Sequence, residues 1–518
     1  MAGRLAAVRV PPAAGPVIER VSPDDLTQLA CEVGPAPSQV GAVLTLDAGP
    51  EFDLGAAMSL IADRVVAVPR LRQRITRVPV GCGRMIWVDD PDFDAGCHLQ
   101  SVTCPPPGDE AALLELAADI AARPLPRSRP LWSATFVTGL ADRKVAVVVV
   151  FHHVLADGIG GLAVLASLVD GMPGPAPAPF PRPAPSARQL AGDAAATRLR
   201  AVAGLIPAVA ELRSAFAELN LAGAVAPKTS LNRPTGASRR IMVTRADLHR
   251  VMDCAHAHGA TVNDVVLTAV TRALSSLLTQ RGEALDNVVA SVLVAGRTST
   301  TSGQLGNHIG VMPVRLPVRD GRSGQLQRIA TATKAHKVTQ RGASAALLGP
   351  GFRALAALRI VRWFVNHQRF VNIFVTNLRG PESRLSFAGA TVADVLPITM
   401  IAGNVTLSFG VMSYAGSLTI AVVADPRCHR DLDALTAALQ SELDSLALDA
   451  ELWSAKRANG PGGPGSGRTP RCARTTAAPP LPVHADAPGR EPAGSRPTRV
   501  GGSTAHQATE TPHVPVTR

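Results

Sequence analysis

At 518 residues the chain is long enough for two domains of ordinary size, and 46% hydrophobic residues supply each with a core. Half of the net charge of +12 is carried by the end of the chain: from Lys456 onward nine Lys and Arg stand against three acids, a net +6. The mild balance left on the body, with no basic patch interleaved with aromatics, argues against nucleic-acid binding and suits CoA phosphates or an anionic lipid surface.

In chain order, Ser22 followed by Pro23 marks a helix start. A strand follows over Val40–Leu46, a helix over Leu54–Val66, and a short strand over Arg84–Val88. The apolar spacing predicts a helix over Glu110–Ala122, then strands over Leu131–Val137 and Val145–Val150. Alternating strands and helices place residues 20–170 in a layered α/β domain. Gly171–Pro185 is rich in Pro and Ala, without hydrophobic period, and opens a linker or crossover over residues 171–229. Helical spacing within it, Leu190–Ala222, is broken at Pro207.

A second α/β domain, residues 230–452, is predicted from strand Arg240–Val243, helices Arg245–His258 and Asn263–Gln280, and strand Val288–Val294. Strands over Val371–Thr376, Thr406–Met412 and Ser417–Val423 and a helix over Asp431–Leu446 complete it. Residues 455–518 contain almost no large apolar side chain and are expected to be a disordered basic tail. The seven cysteines are odd in number, scattered and without a Cys-x-x-Cys pair, which fits a reducing compartment and no structural zinc. No run approaches the roughly 18–20 apolar residues of a membrane span, and Met1–Arg20 lacks the apolar region of a signal peptide. A cytoplasmic protein, soluble or peripherally attached, is expected.

The most informative stretch runs from Phe151 through His152, His153, Val154, Leu155, Ala156, Asp157 and Gly158 to Gly161. It places two histidines where a buried strand ends. Adjacent strand residues point to opposite faces, so at most one imidazole readily serves a given cavity. Asp157-Gly158 favours a tight turn, after which Ile159–Val169 reads as a helix. A histidine at a strand end, held by a turn that carries a carboxylate, is a common arrangement for general-base catalysis at a hydroxyl.

The pattern His-His-x-x-x-Asp-Gly resembles the motif of the CoA-dependent acyltransferase superfamily. Further motifs occur in order: Val68-Pro69-Arg70-Leu71-Arg72, Trp87 through Asp94, Arg129-Pro130-Leu131-Trp132, Leu231-Asn232-Arg233-Pro234 and Gly259 through Asp264. Gly306-Asn307-His308-Ile309-Gly310, Thr376 through Pro381, Gly403-Asn404, Ser413-Tyr414-Ala415-Gly416 and Ala424-Asp425-Pro426 follow. Over about residues 20–450 the chain resembles the bacterial wax ester synthase/acyl-CoA:diacylglycerol acyltransferase family.

The resemblance implies two chloramphenicol-acetyltransferase-like α/β domains enclosing an interdomain tunnel. It implies transfer of a long-chain acyl group from acyl-CoA, a co-substrate, to diacylglycerol or a long-chain alcohol, with no cofactor or metal. The absence of a Gly-x-Ser-x-Gly elbow and of a plausible cysteine nucleophile favours direct transfer. His153 is then the general base, His152 supports the strand end, Asp157 orients the turn with Arg297 as candidate partner, and Gly158 serves the turn. Asn263 and Asp264 open a helix, as capping residues or as lining opposite His153, while Trp132 and Asn377 are further candidates for lining. Phe352–Phe370, basic and amphipathic, is a candidate for contact with a membrane or lipid droplet. Two other readings are an acyltransferase for a different lipid or polyketide hydroxyl, and a non-catalytic lipid-binding relative.

Overall fold

The computed structural model describes residues 17–32, 34–155, 158–171, 179–203, 225–295, 309–319, 324–339 and 361–458. Two six-stranded sheets form its frame. In spatial order the first contains Ser386–Phe387, Ala390–Ile398, Gln39–Asp47, Val145–His152, Trp132–Thr138 and Leu99–Thr103. The second contains Ile309–Pro317, Asn287–Ala295, Ile373–Arg379, Leu407–Tyr414, Ser417–Ala424 and Arg240–Asp247. Both sheets are mixed: Leu99–Thr103 runs parallel to its neighbour, and Ile373–Arg379 runs parallel to both of its own.

The strand that carries the histidines shows why the layers form. All eight of its residues are buried. Its valines are stiff at χ1 and pack well on a pleated surface. Val147, Val149 and Phe151 face a core built with the Leu54–Val66 and Gly158–Leu168 helices. Ala146, Val148 and Val150 face a different core, shared with the Glu110–Ala122 helix and with Ile241, Ala421 and Val423 of the second sheet. The opposite face of the second sheet is covered by helices Leu248–Ala257, Val262–Gln280, Gln325–Thr339 and Leu432–Ala458.

The predicted second domain does not close on itself. Ala390–Ile398 pairs antiparallel with Gln39–Asp47, so a strand from the C-terminal half completes the N-terminal sheet. Tyr414, the chain's single tyrosine, fastens this switch. Its hydroxyl accepts from the Leu385 amide and donates to the Val392 carbonyl, each at 2.8 Å. Ala415 and Gly416 take positive φ values of 48° and 85°, the two-residue turn that sends the chain into Ser417–Ala424. The Ser-Tyr-Ala-Gly motif is therefore accounted for by topology.

The crossover is docked where it is described. Arg182 makes a salt bridge with buried Asp89 at 2.8 Å, and Phe180 receives the Arg72 guanidinium on its ring at 4.4 Å. Asp89 and Arg72 belong to the two N-terminal motifs, whose partner is thus the crossover's end.

Several boundaries moved. The strand predicted to end at Val243 continues to Asp247, because Arg245, Ala246 and Asp247 still pair with Thr419, Leu418 and Ser417. Asp247 then caps the helix that begins at Leu248. The last helix extends to Ala458, into the predicted tail; residues 459–518 lie outside the described residues, as does the break at Pro207.

Replacing Tyr414 by Phe keeps the ring and leaves a buried N–H and C=O unpaired, at a cost of about 1–3 kcal/mol. Tyr414→Phe should lower the melting temperature by several degrees, measured by calorimetry; an unchanged transition would mean that the switch strand does not depend on this hydroxyl.

Candidate active site

The site starts from the end of the valine strand. His152 still pairs with Gln39 in the ladder, and His153 enters the turn. The His152 ring is buried and both of its nitrogens are engaged. Nδ1 accepts the Val154 amide at 3.0 Å, which places the ring proton on Nε2, 3.2 Å from a carboxylate oxygen of Glu32. His153 is half-buried, and its amide donates to the Ser38 carbonyl at 2.8 Å. The Ser38 amide in turn donates to Glu32 at 3.2 Å. One carboxylate and one loop residue therefore hold both histidines.

Burial opposes ionisation of Glu32, but the hydrogen bond from His152, the Arg127 guanidinium and the Ser38 amide outweigh it. The carboxyl is pushed down to about 2. Glu32 was absent from the sequence reading. It lies 120 residues from His152, and its only local signal was the Pro23–Cys31 helix that ends beside it.

The helix following the motif starts at Gly158. Gly161 explains how closely this helix approaches its strand, since a Cβ there would lie 2.4 Å from the Phe151 ring. Asp157 and Arg297 both lie outside the described residues, as does Asn307.

From the second half, the structure brings Asn263 and Asn377 together, with the Asn377 amide donating to Asn263 at 3.4 Å. Leu378, the next residue, packs against the core cluster that also contains Leu155, Val164 and Leu165. The strand carrying Asn377 contacts the motif helix, as does the Leu54–Val66 helix. Asp264 is occupied differently. It is buried and completes a capping box with Thr261, and its other oxygen accepts from Thr333 at 2.7 Å.

Trp132 is a core residue. Its indole N–H donates to the Leu71 carbonyl at 2.6 Å, and its ring stacks on His98 with centroids 4.5 Å apart. Asn404 and Asn232 join an amide network with Gln368 and Asn372 that ties buried turns. Among the described residues no cluster of His, Cys, Asp and Glu could hold a metal ion.

Residues 21–266 match the wax ester synthase/diacylglycerol acyltransferase catalytic domain, and residues 305–447 match the C-terminal domain of the same family. A Mycobacterium tuberculosis protein named as a diacylglycerol O-acyltransferase is 31% identical over 401 residues, covering 74% of this chain and 86% of the relative. Among solved structures, the wax ester synthase/diacylglycerol acyltransferase from Marinobacter aquaeolei aligns with a TM-score of 0.62 at 22% identity, covering 83% of this chain and 100% of that one. The first condensation domain of the CDA synthetase aligns at 0.57 and 19% identity, over 84% and 97% of the respective chains. The fold is the one that these acyltransferases and condensation domains share, as the sequence motifs implied. The chain belongs to the wax ester synthase/diacylglycerol acyltransferase family.

Two outcomes follow from the geometry. Because the Glu32 pKa is lowered on folding, its stabilising contribution is complete above the ordinary carboxylate value of about 4.5 and is lost as pH falls towards 2. The melting-temperature gap between wild type and Glu32→Gln should be constant from pH 7 to pH 5 and narrow below that; a gap that widens in acid would contradict the ion pair. Gly161→Ala should cost about 1–3 kcal/mol by overpacking against Phe151, read as a lowered urea midpoint.

Proposed function

We propose that the chain transfers a long-chain acyl group directly from acyl-CoA to the hydroxyl of diacylglycerol or of a long-chain alcohol, with His153 as general base. The observation that carries this is the engagement of His152: both of its ring nitrogens are committed inside the fold, so proton transfer at this strand end falls to His153. The neutral His153 imidazole takes the hydroxyl proton while the oxygen attacks the thioester carbonyl. The tetrahedral intermediate collapses with cleavage of the C–S bond, and the imidazolium returns its proton to the departing sulfur, giving ester and free CoA. No acyl-enzyme and no cofactor takes part in this scheme.

Asn263 and Asn377 line the acceptor side of an interdomain tunnel in this reading. Asp157 and Gly158 shape the turn, Asp157 through an ion pair for which Arg297 is the candidate. Acyl-CoA enters one mouth and the acceptor the other, both meeting at His153. Among the described residues no helix is long and apolar enough to cross a membrane. Peripheral contact with the inner membrane face or a lipid inclusion is supported by Val361–His367, where Trp363 is 65% exposed beside exposed Arg362. Arg353 and Arg359 of that segment lie outside the described residues.

The test is thiol release from palmitoyl-CoA with dioleoylglycerol or hexadecanol, with the lipid products separated. Wild type should form triacylglycerol, wax ester or both, and His153→Ala should lose at least about 10²-fold in turnover with its fold intact. His152→Ala should lose activity and thermal stability together. Near wild-type turnover by His153→Ala would defeat the mechanism, and no turnover by wild type would favour a lipid-binding role.

A further inference from the structure

Arg239 and Arg240 are adjacent in sequence and opposite in circumstance. Arg240 is well exposed and pairs with Asp433 on the surface. Arg239 is 5% exposed, and among the described residues it has no carboxylate partner. Its Nη1 donates to the carbonyls of Gln39 at 3.4 Å and of Ala121 at 3.3 Å, and its Nη2 donates to the carbonyl of Pro37. Among the described residues Nε has no hydrogen-bond partner. Burial pushes the guanidinium down to about 10, so it remains charged at neutral pH.

A buried cation without a counter-ion is costly. What a guanidinium supplies there, and a packed aliphatic side chain could not, is a rigid planar fork that fixes several carbonyls at once. Those carbonyls matter by position. Pro37 and Gln39 flank Ser38, whose carbonyl accepts the His153 amide and whose amide reaches Glu32, the partner of His152. Gln39 pairs with His152 in the ladder, and its side-chain amide donates to Ala121 and Arg123 at the end of the Glu110–Ala122 helix. Ala121 lies in that helix's last turn, whose dipole favours a cation.

We infer that Arg239, contributed by the second half of the chain, is a positioning residue for the His153 base, acting through the Pro37–Gln39 loop. This rests on the function proposed above. Because the fork comes from the residue that leads into Arg240–Asp247, the seating of the second sheet sets where the base stands. Displacing a catalytic group by about 1 Å can cost on the order of 10²-fold in rate, whereas substrate affinity should be little affected.

The experiment compares wild type, Arg239→Gln and Arg239→Lys in the full-length protein at a temperature below all three melting transitions. Acyl transfer from palmitoyl-CoA and amide hydrogen exchange are both measured. Arg239→Gln should lower kcat about 10- to 100-fold with KM for palmitoyl-CoA within about twofold of wild type. Arg239→Lys, which keeps the charge but not the fork, should recover only part of the loss. Exchange in peptides covering residues 34–41 and 148–155 should rise in Arg239→Gln, while peptides from Leu407–Ala424 stay unchanged. Should the Gln variant fail to fold, the Lys variant decides by the same two readouts. Folded variants with kcat within about twofold of wild type, a loss confined to KM, or unchanged exchange around His153 would each overturn the role given to Arg239. A wild type without turnover would instead overturn the functional reading, and the exchange data would still decide whether Arg239 holds the loop.

Discussion

The structure depends on one constraint: the first half of the chain does not complete its own sheet, and the core between the two sheets needs both halves. The first sheet needs Ala390–Ile398 from the second half on its Gln39–Asp47 edge, where it covers an otherwise open strand. The core between the sheets is built from both, with Val148 and Val150 meeting Ala421 and Val423. Arg245 adds a polar tie, bridging Asp394 on the switch strand at 2.8 Å and reaching Glu110 at the start of the intervening helix. The proposed site, drawing on both halves, would be fixed in shape by the same contacts that make the halves fold. The two sheets are layers of one structure rather than separate beads.

That arrangement also explains which parts were legible in the sequence. Long elements with a clean period were read almost to the residue: Leu54–Val66, Glu110–Ala122 and the valine strand with its terminal histidines. Ala390–Ile398 was missed because Asp394 and Pro397 interrupt its alternation, and its register shifts between Val392 and Asp394. Gln325–Thr339 was missed because it carries Arg, Lys, His and Gln with few apolar residues, and the large apolar residues it buries among those described are Leu326 and Ile329. The motif order pointed to the family, and hence to the fold, before any strand was paired.

At the site, sequence pattern reached the residues that chemistry makes unusual and missed those that geometry recruits. Two adjacent histidines before Asp-Gly are rare enough to mark a strand end. A glutamate at the end of a helix is not, and neither is the first of two consecutive arginines. Glu32 and Arg239 gain their roles only when the loop Pro37–Gln39 is folded against the motif, because each acts on backbone or ring atoms far away in the chain. Some motif residues carry structure instead: Trp132, Asp264, Tyr414 and Asn404 each spend their polar atoms on buried partners. A pattern shared across a fold records packing requirements as readily as chemical ones.

The electrostatics around the strand end fit greasy substrates. Glu32 is neutralised by Arg127 and accepts a hydrogen bond from His152, Asp89 is neutralised by Arg182 and Asp170 by Arg64, and Asp264 is satisfied by Thr261 and Thr333. Each of these carboxylates, among the described residues, is thus paired or hydrogen-bonded within the protein. An uncompensated carboxylate beside the base would favour the imidazolium and so reduce the fraction able to accept a proton. It would also hold water where an acyl chain must lie. In the mechanism proposed for His153, commitment of these acids to structural partners suits a neutral imidazole and apolar ligands. Arg239, buried with no acid partner among the described residues, has its charge spread over backbone carbonyls and the end of a helix, so it can hold the loop without presenting a free charge.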